Sequence, residues 1–211
     1  MIKEELIEYA EAHTSDELPL LARLSRETHL TQVYPRMLAG NLQGTLLRLI
    51  SHMVKPKRIL EIGTFTGYSA ICLARGLAEN GLLHTIDIND ELTDMAFKYF
   101  GQAGLTEKII MHTGDAREII PGLRDNFDLV FIDGDKEQYL EYYQRIMKKL
   151  KTGGFIIADN VLWDGKVVHQ SKKPDRETAG IIAFNNLVQG DDRVENVIIS
   201  DRDGLMIIRK K

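Results

Sequence analysis

Apolar residues recur at helical spacing through Ile2 to Ala12, Leu18 to Leu30 and the stretch after Pro35 that ends near Met53, and no β-type run falls among them. From Arg58 the pattern changes. Short β-rich runs at Arg58 to Ile62, Leu83 to Ile88, Ile109 to Thr113, Phe127 to Asp133 and Phe155 to Asp159 alternate with helical stretches at Tyr68 to Glu79, Glu91 to Ala103 and Glu137 to Leu150. Such alternation requires right-handed crossovers and a parallel sheet covered on both faces, so the predicted fold class is a doubly wound α/β sheet. The last third departs from it: Val194 to Ser200 and Leu205 to Arg209 are joined by Asp201 to Gly204, whose Asp-Gly pair predicts a hairpin and therefore one antiparallel strand. Trp163 to Asp175, polar and interrupted by Gly165 and Pro174, reads as a mobile loop.

Composition narrows the picture. A chain of 211 residues with 44% hydrophobic content suits one compact domain, divided into a helical cap over 1–53 and an α/β core over 58–211. A net charge of −4 argues against a surface built throughout to grip nucleic acid or anionic membrane, while leaving a local basic patch allowed. The single cysteine, Cys72, excludes a disulfide framework and a thiolate cluster. No apolar run has the length of a membrane span, and the default compartment is the cytoplasm.

In a doubly wound sheet, ligands sit outside the carboxyl ends of the strands, so candidate chemistry is sought there. The first strand runs into LEIGTFTGYS, with Glu61 at its end, Gly63 and Gly67 in the loop and Ser69 opening the helix. Glycine lets such a backbone turn tightly and approach a ligand, although a tight turn without any ligand would look the same. The second strand ends in Asp87, whose carboxylate can accept from both hydroxyls of a ribose. The third adds Gly114, Asp115 and Ala116; Asp115 suits either an adenine amino group or the N-cap of a helix. An acid at position 61 would repel a pyrophosphate and favours the cationic sulfonium of S-adenosylmethionine.

The fourth and fifth strands end in Asp133 and in Asp159 with Asn160. Two neighbouring parallel strands bring these three hard oxygen donors to one point. Two anionic donors, with positions left for water and substrate, suit Mg²⁺ first and Mn²⁺ or Ca²⁺ after it, whereas zinc would prefer His or Cys. A phenol with a pKa near 10 is about one part in a thousand ionised at neutral pH, and a nearby dication lowers that pKa. Lys136 can reach the same point. Beside a dication its ammonium would be disfavoured and it would serve as general base; at a helix start it could equally be a solvated side chain.

These residues carry a resemblance. From about Met37 onward the stretches LQGTLL, LEIGTFTGYSA, TIDIN, GDA, FIDGDKEQY, ADNVLWDGKV and DGLMIIRK resemble the catechol and caffeoyl-CoA type of metal-dependent O-methyltransferases in their small bacterial form. The resemblance implies a class I methyltransferase sheet of seven strands with the last reversed, a Mg²⁺-type site at Asp133, Asp159 and Asn160, and Lys136 as base. It implies cofactor contacts at Glu61, Gly63, Phe65, Ser69, Asp87, Gly114, Asp115, Ala116 and Asp133. Met37 to Gly40, including Ala39, would close over the cofactor, and a homodimer is implied as well.

The acceptor is a catechol or related phenol in this reading, with Trp163 and Arg176 as substrate contacts. Thr178 to Ile182 lacks the aromatics that plant caffeoyl-CoA enzymes carry there, which speaks against a CoA thioester. A bacterial branch that methylates wobble 5-hydroxyuridine in tRNA is similar in size, and Lys166, Lys172, Lys173 and Arg176 could meet phosphates or simply be solvated. A protein that binds the cofactor without catalysis is the alternative from another class.

Overall fold

The computed structural model describes residues 4–169, 174–200 and 202–211. Residues 170–173 of the expected mobile loop, Lys172 and Lys173 among them, and the first residue of the Asp-Gly turn thus lie outside the described residues. Three helices come first: α1 (Glu4–Ala12), α2 (Pro19–Thr31) and α3 (Gly40–Val54), with a 3₁₀ turn at Pro35–Met37. The sheet follows as β1 (Arg58–Ile62), β2 (Leu82–Asp87), β3 (Ile109–Thr113), β4 (Phe127–Ile132), β5 (Leu150–Ala158), β6 (Val194–Ile199) and β7 (Leu205–Lys210). Between them run α4 (Tyr68–Ala74), α5 (Thr93–Gln102), α6 (Ala116–Gly122), α7 (Tyr139–Ile146) and α8 (Arg176–Gln189).

The strand order is β3-β2-β1-β4-β5-β7-β6. Strands β1 to β5 pair in parallel, and β7 runs antiparallel to both of its neighbours, as the hairpin predicts. Both faces are covered, which is why the central strands read as continuous apolar runs rather than alternating ones. Alternate residues serve opposite layers: Ile59, Leu129 and Phe131 pack with α2 to α5, while Leu60, Ile62, Val130 and Ile132 pack with α6 to α8. Truncating one of these fully buried Leu or Ile side chains to Ala costs about 2–5 kcal/mol.

Three departures from the sequence-based expectation have local causes. Helix α6 is anticipated only through Asp115 as an alternative N-cap, because seven residues that include Pro121 show no apolar period; the Asp115 carboxylate starts it by accepting from Arg117 N–H at 2.8 Å. Strand β5 begins at Leu150 rather than Phe155, since Gly153 and Gly154 disguise its first half, and a register shift between Phe127 and Leu129 absorbs the irregularity. Helix α4 stops at Ala74, short of Glu79, and all seven of its residues are buried between α3 and the sheet. Among the described residues no helix is long and apolar enough to cross a membrane.

Candidate active site

The strand order reverses between β1 and β4, and the crevice at that point holds a cavity of about 970 Å³. One half lies over β1, β2 and β3. Gly63 has a φ of +99°, and a Cβ there would collide with the Asp133 carbonyl, so the loop after β1 is pressed against the end of β4. Gly63→Ala is therefore expected to cost roughly 2–4 kcal/mol, read from the urea midpoint, through backbone strain and overpacking. A wild-type midpoint would contradict that close approach.

Asp87 caps the same loop, accepting from Phe65 N–H at 2.7 Å and from Asn89 N–H at 2.9 Å. Each oxygen retains a lone pair, and Asp87 lines the cavity beside Phe65, Ser69, Gly114, Asp115 and Ala116. Of the two roles open for Asp115, the helix cap is present, reinforced by the Arg117 guanidinium at 2.6 Å, which holds its carboxyl below the usual range.

Glu61 sits behind this wall instead of in it. It is fully buried; Thr85 O–H donates to Oε2 at 2.6 Å and Oε1 has no partner. Burial raises its pKa to about 8. A folded-state value above the unfolded one means the native chain holds an extra proton between about 4.5 and about 8, so this contribution is present in acid and lost as pH rises through that window. Glu61→Gln should remove up to about 1.4 kcal/mol per pH unit from the slope of stability against pH. Chemical denaturation of both proteins across pH 5–8 measures the difference, and parallel curves would contradict it.

The other half of the cavity is built by β4 and β5. Asp133, Lys136, Asp159, Asn160 and Trp163 all line it. Lys136 is 8% exposed; its Nζ donates to Asp133 Oδ1 at 2.9 Å and to the Tyr139 hydroxyl at 2.8 Å, and lies over the Tyr139 and Trp163 rings. Burial pushes the Lys136 ammonium down, but Tyr139 and Asp133 outweigh it and hold the pKa above the ordinary lysine value. Burial also keeps the Tyr139 phenol neutral. With only the chain's own groups around it, Lys136 therefore shifts opposite to the direction expected beside a dication.

Asp159 accepts from Asn160 N–H at 2.8 Å and from Gln43 Nε2 at 2.5 Å. Burial, and then the Asp133 charge, raise its pKa to about 6. Asn160 takes a left-handed φ of +57°, which Asn tolerates better than most residues. Among the described residues no three His, Cys, Asp or Glu side chains cluster as a metal site. The candidate set is smaller, two carboxylates and an amide. That suits a hard cation which keeps several waters, and the mutual repulsion of Asp133 and Asp159 is the charge such a cation would neutralise.

Met37 and Ala39 line the cavity, while Gly40 lies at the start of α3 outside its wall. Arg176 does not reach it either: it begins α8 with its side chain exposed, and Glu177 lines the wall there. The sequence reading missed Tyr34, Gln43, Gln138, Tyr142 and Arg202, which line the cavity from segments distant in the chain. Of these, Gln43 and Gln138 stood in quoted motifs, LQGTLL and FIDGDKEQY, which assigned them no role.

Comparison with known proteins agrees with this architecture. The family model described as O-methyltransferase matches residues 11–211. The chain is 37% identical over 161 residues to a catechol O-methyltransferase from Niastella koreensis, covering 74% of this chain and 72% of that protein. It is 33% identical to caffeoyl-CoA O-methyltransferase 1 from Zea mays, covering 80% and 69%. Among solved structures it is similar to the O-methyltransferase TomG from Streptomyces achromogenes in complex with SAM, with a TM-score of 0.91, 28% identity and full coverage of both chains. The O-methyltransferase from Bacillus cereus in complex with SAH superposes with a TM-score of 0.92 at 27% identity, covering 98% of this chain and 97% of that one.

Proposed function

We infer the reaction from one premise: the chain belongs to the O-methyltransferase family, in its catechol and caffeoyl-CoA type. We propose that it transfers a methyl group from S-adenosylmethionine to the hydroxyl of a catechol or related phenol with the help of a divalent cation. The observation that carries this is the shared wall: Asp87 and the glycine loop line one half of a cavity whose other half presents Asp133, Asp159, Asn160 and Lys136. Two relatives of known structure hold the methyl donor or its product.

When bound, adenosylmethionine supplies an electrophilic methyl, and a dication held by Asp133, Asp159 and Asn160 supplies positive charge that lowers the pKa of an acceptor hydroxyl and offsets the raised pKa of Lys136. Asp87 accepts from the ribose hydroxyls through its two remaining lone pairs. The loop at Gly63 lets backbone approach the donor, and Met37 to Ala39 cover it and exclude water. Trp163 offers a flat apolar face for an aromatic ring. Lys136 Nζ takes the hydroxyl proton, with Asp133 beside it to hold the resulting ammonium. The largest contribution of the chain is orientation, holding acceptor oxygen and methyl carbon in line.

Incubation with adenosylmethionine, Mg²⁺ and caffeic acid should yield adenosylhomocysteine and a methyl ether in equal amounts. Product from unmodified tRNA but from none of a panel of catechols would replace the small-molecule acceptor with an RNA. Cofactor binding without product from either class would contradict catalysis.

A further inference from the structure

Gln43 and Asp159 are 116 residues apart in sequence, yet their side chains meet at 2.5 Å, Gln43 Nε2 donating to Asp159 Oδ2. The other oxygen, Oδ1, accepts from Asn160 N–H at 2.8 Å. The Asp159 carboxylate is thus fixed in rotation by two donors from opposite sides, one of them from helix α3 in the N-terminal cap. Gln43 has its own support. Arg202 Nη1, in the turn between β6 and β7, donates to the Ala39 carbonyl at 2.8 Å and lies 3.4 Å from Gln43 Oε1.

The same turn braces the segment after β5. Val161 N–H donates to the Gly204 carbonyl at 3.1 Å and Leu162 N–H to the Asp203 carbonyl at 2.9 Å, and the Asp203 carboxylate accepts from Asp164 N–H. Gly204, at a φ of +82°, allows this contact, since a Cβ there would collide with the Leu162 side chain.

We propose that Gln43 is a positioning residue for the cation site, orienting the Asp159 carboxylate through a hydrogen bond that Arg202 supports from the far side. The proposal rests on the cation reading of Asp133, Asp159 and Asn160. Its chemistry follows from the donor type. A neutral amide fixes the carboxylate without protonating it or competing for the cation as a charge, whereas an ammonium in the same place would neutralise it. Of the Arg202 side-chain bonds only the one to Gln43 leads on to Asp159, so the effect carried by that route must vanish when Gln43 cannot accept.

Mn²⁺ binding, followed by electron paramagnetic resonance of the free ion, reads this without turnover. Gln43→Met, similar in length and lacking the amide, should weaken Mn²⁺ binding about tenfold, in the range for outer partners of metal ligands. Gln43→Asn keeps the amide without its reach and should lose as much. Arg202→Met should weaken binding less, and should add nothing in the Gln43→Met background. Adenosylhomocysteine affinity of the Gln43 variants should stay at the wild-type value, showing a folded cavity, and their turnover should return at saturating Mn²⁺. Wild-type Mn²⁺ affinity in both Gln43 variants would overturn the positioning role while leaving the cation reading intact. A wild-type protein that binds no Mn²⁺ would overturn the cation reading and this inference together. Additive effects of the two methionine variants would overturn the link through Arg202.

Discussion

An Asp159→Asn variant is expected to lose methyl transfer on the order of a thousandfold while unfolding at the same or a higher denaturant concentration than the wild type. The loss follows from the chemistry of the site, because removing one of two anionic donors forfeits several kcal/mol of charge stabilisation. The stability follows from electrostatics in the chain itself. Burial and the neighbouring Asp133 raise the Asp159 pKa to about 6, so at neutral pH the ionised form is held against its preference. A neutral amide of the same shape relieves that repulsion, worth roughly 1–3 kcal/mol, which offsets the loss of about 1 kcal/mol where its NH₂ faces one of the two N–H donors, Gln43 or Asn160. Activity should therefore fall as stability rises, the pattern expected of a charge kept for function and not for folding. Initial rates together with urea midpoints provide the check. A variant that is both inactive and less stable would point to a structural role for Asp159.

Lys136→Met should lower kcat by about 10²–10⁴, the usual weight of a positioned acid or base. The side chain is 8% exposed and bound to Asp133 and Tyr139, so its placement is rigid and its loss cannot be replaced by solvent. Tyr139 O–H remains within reach of the Ile132 carbonyl at 3.2 Å and of the Asp159 carbonyl at 3.1 Å, which should keep the pocket formed. Lys136→Arg separates charge from basicity, because a guanidinium keeps its proton at any pH of interest. The arginine variant should be nearly as impaired as the methionine one, with adenosylmethionine affinity unchanged in both. An arginine variant close to wild type would reduce Lys136 to a fixed positive charge.

The centre of the sheet was legible because strands such as β1 and β4 are buried on both faces and announce themselves as apolar runs, and the Asp-Gly turn before Leu205 predicts the reversed last strand. Elements whose residues carry mixed signals were not. Pro121 hid a short helix that depends on its Asp115 cap, and Gly153 with Gly154 hid the first half of β5. For the site, the residues at strand ends could be read, since topology alone brings the ends of β4 and β5 together. What depends on side-chain direction could not be. Glu61 points into the core behind the cavity, and Arg176 begins α8 outside it. Gln43 belongs to the site only because the start of α3 meets Asp159 after the end of β5, a contact that no local spacing encodes.

The most direct test of cation-assisted methyl transfer is the initial rate of catechol methylation with saturating adenosylmethionine, first with EDTA and then with Mg²⁺ added back in excess. The rate should fall to background with the chelator and return with the metal, while adenosylmethionine binding remains measurable throughout. An undiminished rate in EDTA would contradict the role given to Asp133, Asp159 and Asn160.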